Sequence, residues 1–368
     1  MTATQTAPEQ TETGARPRMT PEQRRGLLAC LAFVGFLHVV GWGLLLGVVA
    51  PAGYEVGGRL LGVGLGLTAY TLGMRHAFDA DHIAAIDNTT RKLMGDGKRP
   101  MSVGFWFSLG HSSVVFVMVM GIAFGIRALA DGVANDNSAL QRLTGVWGTS
   151  ISGVFLVLIG LVNLAALLGI IRVFRGMRHG HYDEAELEQQ LDSRGFLNRV
   201  LGRVTRAVSK PWHMYPTGFL FGLGFDTVTE IGLLVIAGGA VAASLPWYAV
   251  ITLPVLFAAG MSLLDTLDGA FMNIAYGWAF SRPVRKIYYN ITVTALSVAV
   301  ALIIGVVELA GLLADKAGIH HGPLAWLGGL DLEYVGYGIV LLFVATWVFS
   351  VSVWKLARIE ERWSAHLR

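Results

Sequence analysis

Eight long apolar stretches constrain the fold of this chain more than any other feature of its sequence. They lie at about residues 27–50, 58–86, 102–126, 146–171, 214–242, 247–280, 287–313 and 333–354. A bilayer core about 30 Å thick needs roughly 20 mostly apolar residues to be crossed by one helix. Only 14% of the residues are charged, about half the roughly 25% of soluble proteins. The sequence therefore predicts an all-α polytopic membrane protein with about eight transmembrane helices in a lipid bilayer.

Other features of the sequence narrow the class of protein further. The single cysteine, Cys30, excludes a disulfide framework and a tetrathiolate metal site within one chain. No Gly-x4-Gly-Lys-Ser/Thr motif occurs, so the chain carries no recognisable ATPase of its own. Nothing in the sequence indicates an ATPase subunit, a nucleic-acid partner or a resident cofactor.

The positions of the basic residues predict how the chain is oriented. With eight spans, 23 of the 28 Lys and Arg residues fall on the side that holds both termini. Because positive charge stays in the cytoplasm, both termini are expected inside. The predicted segments are a disordered tail at 1–25, transmembrane helices 1–4 at 26–171, a cytoplasmic loop at 172–212, transmembrane helices 5–8 at 213–356 and a cytoplasmic tail at 357–368.

Ionisable side chains cluster inside these spans. A charged group at the centre of a membrane helix costs at least ~2.5–3.5 kcal/mol, so its presence there calls for a functional reason. The second, third, fifth and sixth spans carry the candidate metal-binding residues His76, Asp79, Asp81, His82, His111, Asp226, Glu230, Asp265 and Asp268.

The chemistry of this set points to a divalent transition metal. Carboxylates in a low dielectric must be neutralised by protons or by a cation. Imidazole nitrogen together with carboxylate oxygen suits Ni, Co, Zn or Fe(II), whereas Cu(I) prefers thiolates. Mg²⁺ and Ca²⁺ bind through oxygen ligands and would not need histidines. The set therefore predicts an intramembrane site for a borderline transition-metal ion.

The spacing within the second span leaves two geometries open. At 100° per residue, His76, Asp79 and His82 share one arc of a helix, whereas Asp81 lies nearly opposite Asp79. Either Asp81 does not bind the metal and instead orients a metal-binding histidine, or the helix is unwound here, as in many transporters.

Four sequence blocks in these spans form a recognisable pattern. They are residues 75–90, which contain His76-x4-Asp81-His82, and residues 109–115, 222–231 and 260–268. Together and in this order they resemble the nickel/cobalt transporter (NiCoT) family over roughly residues 25–358. The resemblance implies uptake of Ni²⁺ or Co²⁺ through the bacterial cytoplasmic (inner) membrane by a single-chain secondary transporter. It also implies that His76, Asp79, Asp81 and His82 are essential to transport.

Two alternative functions and one hypothesis of symmetry remain open at this point. A nickel/cobalt exporter would share the same chemistry, although the loop at 172–212 has only two histidines, which favours import. An intramembrane metalloenzyme would use the same cluster, but the other spans supply acids and one lone histidine rather than a nucleophile. The pairs Phe78-Asp79 and Phe225-Asp226, three spans apart, suggest inverted three-helix repeats.

Overall fold

The described part of the chain is almost entirely helical. The computed structural model describes residues 19–56, 59–98, 100–124, 138–178, 208–223, 245–279, 283–330, 332 and 335–356. The helices are α1 Pro21–Leu44, α2 Val63–His76, α3 Ala80–Gly95, α4 Val103–Ala123, α5 Ala139–Arg178, α6 Met214–Phe221, α7 Trp247–Ala279, α8 Pro283–Ala317, α9 Pro323–Gly328 and α10 Val335–Leu356. Two strands of two residues each, β1 Glu55–Val56 and β2 Arg59–Leu60, pair antiparallel in a short hairpin between α1 and α2.

Five of these helical segments are long and apolar enough to cross a membrane. They are Pro21–Ala52, Val103–Gly121, Arg142–Gly169, Trp247–Tyr276 and Ile291–Ala317. A shorter apolar helix covers Val335–Phe349. This arrangement confirms the predicted all-α polytopic class. The number of eight spans, the inward position of both termini and the inverted repeats stay predictions.

The first helix begins inside the segment that was predicted as a disordered tail. Thr20 caps it, because its hydroxyl accepts a hydrogen bond from the backbone N–H of Gln23 while the Gln23 side chain accepts one from the backbone N–H of Thr20. Pro21 occupies the first turn, where its missing N–H costs nothing. The helix therefore starts at Pro21, five residues before the predicted boundary at residue 26, and runs into a π-helical segment at Leu45–Val49.

The second predicted span is broken into two helices. α2 ends at His76, and residues 77–79 leave the helical path before α3 starts at Ala80. Asp79 occupies the N-cap of α3 with an extended backbone, at φ −64° and ψ 142°. The Asp79 side chain makes no capping hydrogen bond, and Asp81 places a negative charge in the first turn, where the helix dipole favours it. Of the two geometries left open by the sequence, the structure has the unwound one.

Glycines bring the helices that carry the ionisable residues into backbone contact. A Cβ on Gly73 of α2 would collide with the carbonyl of Phe257 in α7, and one on Gly110 of α4 would collide with the carbonyl of Tyr215 in α6. Gly104 makes the same close approach between α4 and α7. α7 and its neighbours therefore lie closer together than larger residues would allow.

The basic residues at the end of α3 are packed into the protein. Arg91 and Lys92 were assigned to a cytoplasmic loop, but α3 continues to Gly95 and their side chains are only 4% and 3% exposed. The Lys92 ammonium pairs with Asp96 and donates to the carbonyl of Val208, near the end of the predicted loop at 172–212. In the same way α5 continues to Arg178, seven residues into the predicted loop at 172–212.

Candidate metal centre

Three histidines from three helices meet at the break in the second span. His76 ends α2, His82 lies in the first turn of α3, and His111 lies in the middle of α4. The Nε2 atoms of His76 and His111 are 3.0 Å apart. Each ring offers one nitrogen such that these three atoms all lie within 4.8 Å of one another. The arrangement can hold one metal ion between three imidazoles.

The break is what makes this convergence possible. On a continuous helix the two histidines of the second span would be six residues and nearly two turns apart. With the chain unwound at residues 77–79, the rings of His76 and His82 have centroids only 4.5 Å apart. The ring of His111 lies 4.7 Å from each of them. The cluster is therefore a product of the local backbone as well as of helix packing.

The centre is enclosed by apolar and aromatic side chains. His82 is fully buried and His111 is 4% exposed, whereas the His76 side chain keeps 12% exposure. The edge of the fully buried Phe107 packs against His82, and Phe257 lies beside His76. In such surroundings electrostatic interactions are much stronger than in water.

One carboxylate orients a histidine of the centre. Asp79 Oδ2 lies 2.6 Å from His76 Nδ1, which is a strong ion-pair or hydrogen-bond contact across the break. A histidine that donates from Nδ1 to a carboxylate presents its Nε2 lone pair to a metal, and this pairing is common behind metal-binding histidines. Asp79 therefore holds the ring of His76 with Nε2 directed toward His111.

A second carboxylate, Asp265 of α7, is buried beside His82 without a direct hydrogen bond. Its Oδ2 lies 3.6 Å from His82 Nδ1, which is longer than a hydrogen bond. Within the described residues, neither oxygen of Asp265 and neither ring nitrogen of His82 has a hydrogen-bond partner. Leaving such groups buried and unsatisfied costs about 1–3 kcal/mol each, and more for charged groups. A cation bound among them would compensate for that cost.

Asp81, the second acid of the second-span block, faces away from the pair formed by Asp79 and His76. Its Oδ1 accepts a hydrogen bond from the backbone N–H of His82, and its Oδ2 lies 3.5 Å from the Ser152 hydroxyl in α5. The carboxylate of Glu308 in α8 faces the same two side chains. The Oε2 of Glu308 is itself enclosed.

The remaining predicted residues lie elsewhere. Asp268, one turn after Asp265 in α7, has the acids Asp87 and Asp265 as its electrostatic neighbours rather than a histidine. Asp226 and Glu230 lie outside the described residues.

Sequence reasoning missed a buried polar network that lies further along α3 than the histidine centre. The Tyr276 hydroxyl donates to Asp87, and the Arg91 guanidinium lies 4.2 Å from the centre of the Tyr276 ring. Arg91 also donates to Ser297 and Thr294 of α8. The signal was the spacing of Asp87 and Arg91, an acid and a base four residues apart on one helical face, but Arg91 had been assigned to a loop.

The fold and this centre define a polytopic membrane protein with a metal-binding constellation inside its helix bundle. The family model described as high-affinity nickel-transport protein (NicO) matches residues 62–353, and the chain belongs to this family. It is thus a transporter and not an enzyme, and with its apolar helices it is a multi-pass protein of the bacterial cytoplasmic membrane.

Individual relatives cover nearly the whole chain. Nickel transporter NicT of Mycobacterium tuberculosis is 63% identical over 342 residues, which is 93% of this chain and 91% of the relative. Nickel transporter NixA of Staphylococcus aureus is 47% identical over 342 residues, 93% of this chain and 98% of the relative. Cobalt transport protein NhlF of Rhodococcus rhodochrous is 38% identical over 333 residues, 89% and 92% of the two chains. No solved structure matches this chain.

Proposed function

We propose that this protein takes up Ni²⁺, and also Co²⁺, through a site formed by His76, His82 and His111. The observation that carries the proposal is the convergence of three imidazoles within 4.8 Å at a broken helix inside the bundle. Relatives named as nickel and cobalt transporters support the choice of ion. Imidazole ligands likewise favour Ni²⁺ and Co²⁺ over Mg²⁺, Ca²⁺ and Mn²⁺.

The acids around the histidines have separate roles in this proposal. Asp79 orients His76, and Asp265 supplies a negative charge next to His82, so that two carboxylates balance the two charges of the ion. Asp81 fixes the first turn of α3 through the backbone of His82. Asp268 contributes a further carboxylate on α7, one turn after Asp265. Asp226 and Glu230 remain predicted contributors from the fifth span.

The membrane potential can drive this uptake. Moving two charges across 100 mV, negative inside, releases about 4.6 kcal/mol. That energy corresponds to an accumulation of roughly a few thousandfold, at about 1.4 kcal/mol for each factor of ten. The broken helix is a common device of secondary transporters, because the ends of its half-helices and its unwound backbone can line a substrate site near the midplane. Uptake therefore needs no ATP.

The test is uptake of radiolabelled nickel into proteoliposomes with and without an imposed voltage. We expect uptake that rises with a negative interior and is inhibited by Co²⁺ more strongly than by Mn²⁺. His76→Ala should abolish uptake, whereas His320→Ala, at an exposed position, should leave it unchanged. Equal uptake by wild type and His76→Ala at equal reconstitution would refute the site. Flux only out of the vesicles under every voltage would refute uptake.

A further inference from the structure

A row of carboxylates continues past the histidine centre along α3 and α7. His82 and Asp87 are five residues apart on α3, and Asp265 and Asp268 are three residues apart on α7. At 1.5 Å per residue, these steps are about 7.5 Å and about 4.5 Å along the helix axes. Both helices run from the outer to the cytoplasmic side in the predicted topology. The row therefore descends toward the cytoplasm.

The two helices are packed together where the row ends. Gly269, next to Asp268, approaches the side chain of Ile86, which precedes Asp87. Asp268 and Asp87 are electrostatic neighbours across these two packed helices. This packing brings the carboxyl-bearing segments of the two neighbouring helices together.

These acids carry unused hydrogen-bonding capacity. Asp87 is fully buried, and its Oδ1 accepts a hydrogen bond from the Tyr276 hydroxyl. Its Oδ2 and the Oδ2 of Asp268 are both enclosed and have no hydrogen-bond partner within the described part of the chain. A buried carboxylate oxygen without a donor is costly unless a proton or a cation satisfies it.

The balance of charge favours a dipositive ion. Asp87 is compensated by Arg91, one turn further along α3. Asp265 and Asp268 then leave two negative charges on one face of α7. Along α7, Asp265 lies beside His82 and one turn before Asp268, between the histidines and this pair.

We infer that Asp87 and Asp268 form a second cation station, made of oxygen ligands alone, on the cytoplasmic side of the histidine centre. The inference rests on the proposed transport of a divalent ion. The ion moves from three nitrogen ligands to carboxylates that hold Ni²⁺ less firmly, and Asp265 contacts it during this movement. Because carboxylate sites suit Mn²⁺ whereas imidazole sites suit Co²⁺, the two positions can be told apart by their metals.

The experiment measures both metals on purified full-length protein in detergent. Equilibrium dialysis counts bound Mn²⁺, and the visible absorption of Co²⁺ reports imidazole coordination. We expect Asp268→Asn to lose at least about tenfold in Mn²⁺ affinity and to keep the Co²⁺ spectrum. Asp87→Asn should behave in the same way. His111→Ala should do the reverse, keeping Mn²⁺ and losing the Co²⁺ spectrum.

The controls separate failure of the station from failure of the proposed function. Asp315→Asn removes an exposed acid at the end of α8 and should change neither metal. Asp268→Glu, which keeps the carboxylate, should restore Mn²⁺ binding if loss in Asp268→Asn is not due to misfolding. If Asp87→Asn and Asp268→Asn both bound Mn²⁺ as the wild type does, the station would be refuted. It would also be refuted if these variants lost Mn²⁺ binding and the Co²⁺ spectrum together. A wild-type protein without the imidazole–Co²⁺ spectrum would instead overturn the histidine site itself.

Discussion

His76 and His111 approach each other with their Nε2 atoms 3.0 Å apart, although they belong to different spans. Two nitrogens bound to one ion at about 2.1 Å and at right angles also lie about 3 Å apart. The rings are therefore already spaced as two neighbouring ligands of one metal ion. Binding requires little rearrangement of the backbone, which favours affinity because few groups must be ordered.

The first prediction concerns His111, which the sequence shows as a lone histidine in an apolar helix. His111→Ala removes one of three nitrogen ligands, so we expect the Co²⁺ affinity of the purified protein to fall roughly 100-fold or more. Titration followed by visible absorption measures this. The exposed His320→Ala is the matched control. A change of less than twofold in His111→Ala would show that His111 is a packing residue only.

The sequence predicted the helical class and the set of ionisable residues because both depend on composition and spacing. Apolar stretches and ionisable residues within them can be identified directly from the sequence, without knowledge of tertiary contacts. The break at residues 77–79 was left as one of two geometries, since the segment contains neither proline nor glycine. Asp79 occupies the N-cap position but its side chain pairs with His76 rather than capping α3. The tertiary contacts around the break, such as that of Gly336 with Phe78, are absent from any local pattern.

The grouping of the acids could not be predicted for a related reason. Asp81 and Asp79 are two residues apart, yet they face different helices. Glu308, far from both in the sequence, lies beside Asp81 and Ser152, and its Oε2 is enclosed. Which acids share a space depends on how helices rotate about their axes, and this is decided by packing partners far away in the sequence.

The second prediction concerns the orientation of His76 by Asp79. Asp79→Asn keeps the size of the side chain but removes the charge that holds the Nδ1 proton. We expect metal affinity to fall about 10- to 100-fold, which is typical for the partner of a metal-binding histidine. Nickel uptake measured over a range of concentrations should show a raised KM. Asp79→Glu should recover part of the affinity; equal affinities for wild type and Asp79→Asn would contradict an orienting role.

The third prediction concerns the contact between α2 and α7. Gly73→Ala places a methyl group against the carbonyl of Phe257, and backbone cannot yield as a side chain can. We expect a loss of about 1–3 kcal/mol in the free energy of unfolding, as for other overpacked interiors. Gly64→Ala, on the same helix with nothing within 4 Å of the new atom, is the control. Thermal unfolding in detergent measures both, and equal midpoints would contradict the close contact.

The fourth prediction concerns the support of the helix break by α10. A Cβ on Gly336 would collide with the carbonyl of Phe78, whose ring stacks on Tyr337 at 4.8 Å. Gly336→Ala should therefore shift the break and lower Co²⁺ affinity about tenfold. Gly338→Ala, two residues on and with open space around it, should leave the affinity unchanged. Co²⁺ titration compares the two variants, and identical affinities would mean that α10 does not position the centre.

The fifth prediction concerns pH. An imidazole nitrogen must be free of its proton to bind a metal, and an ordinary histidine takes up that proton near pH ~6.5. Affinity should therefore be highest above neutrality and fall as the pH is lowered, by up to tenfold per pH unit for each competing proton. Co²⁺ titrations at about pH 7.5 and about pH 5.5 measure this change. Recovery of binding on return to the higher pH excludes unfolding as the cause. An affinity that stays constant between the two values would argue for oxygen ligands in place of the histidines.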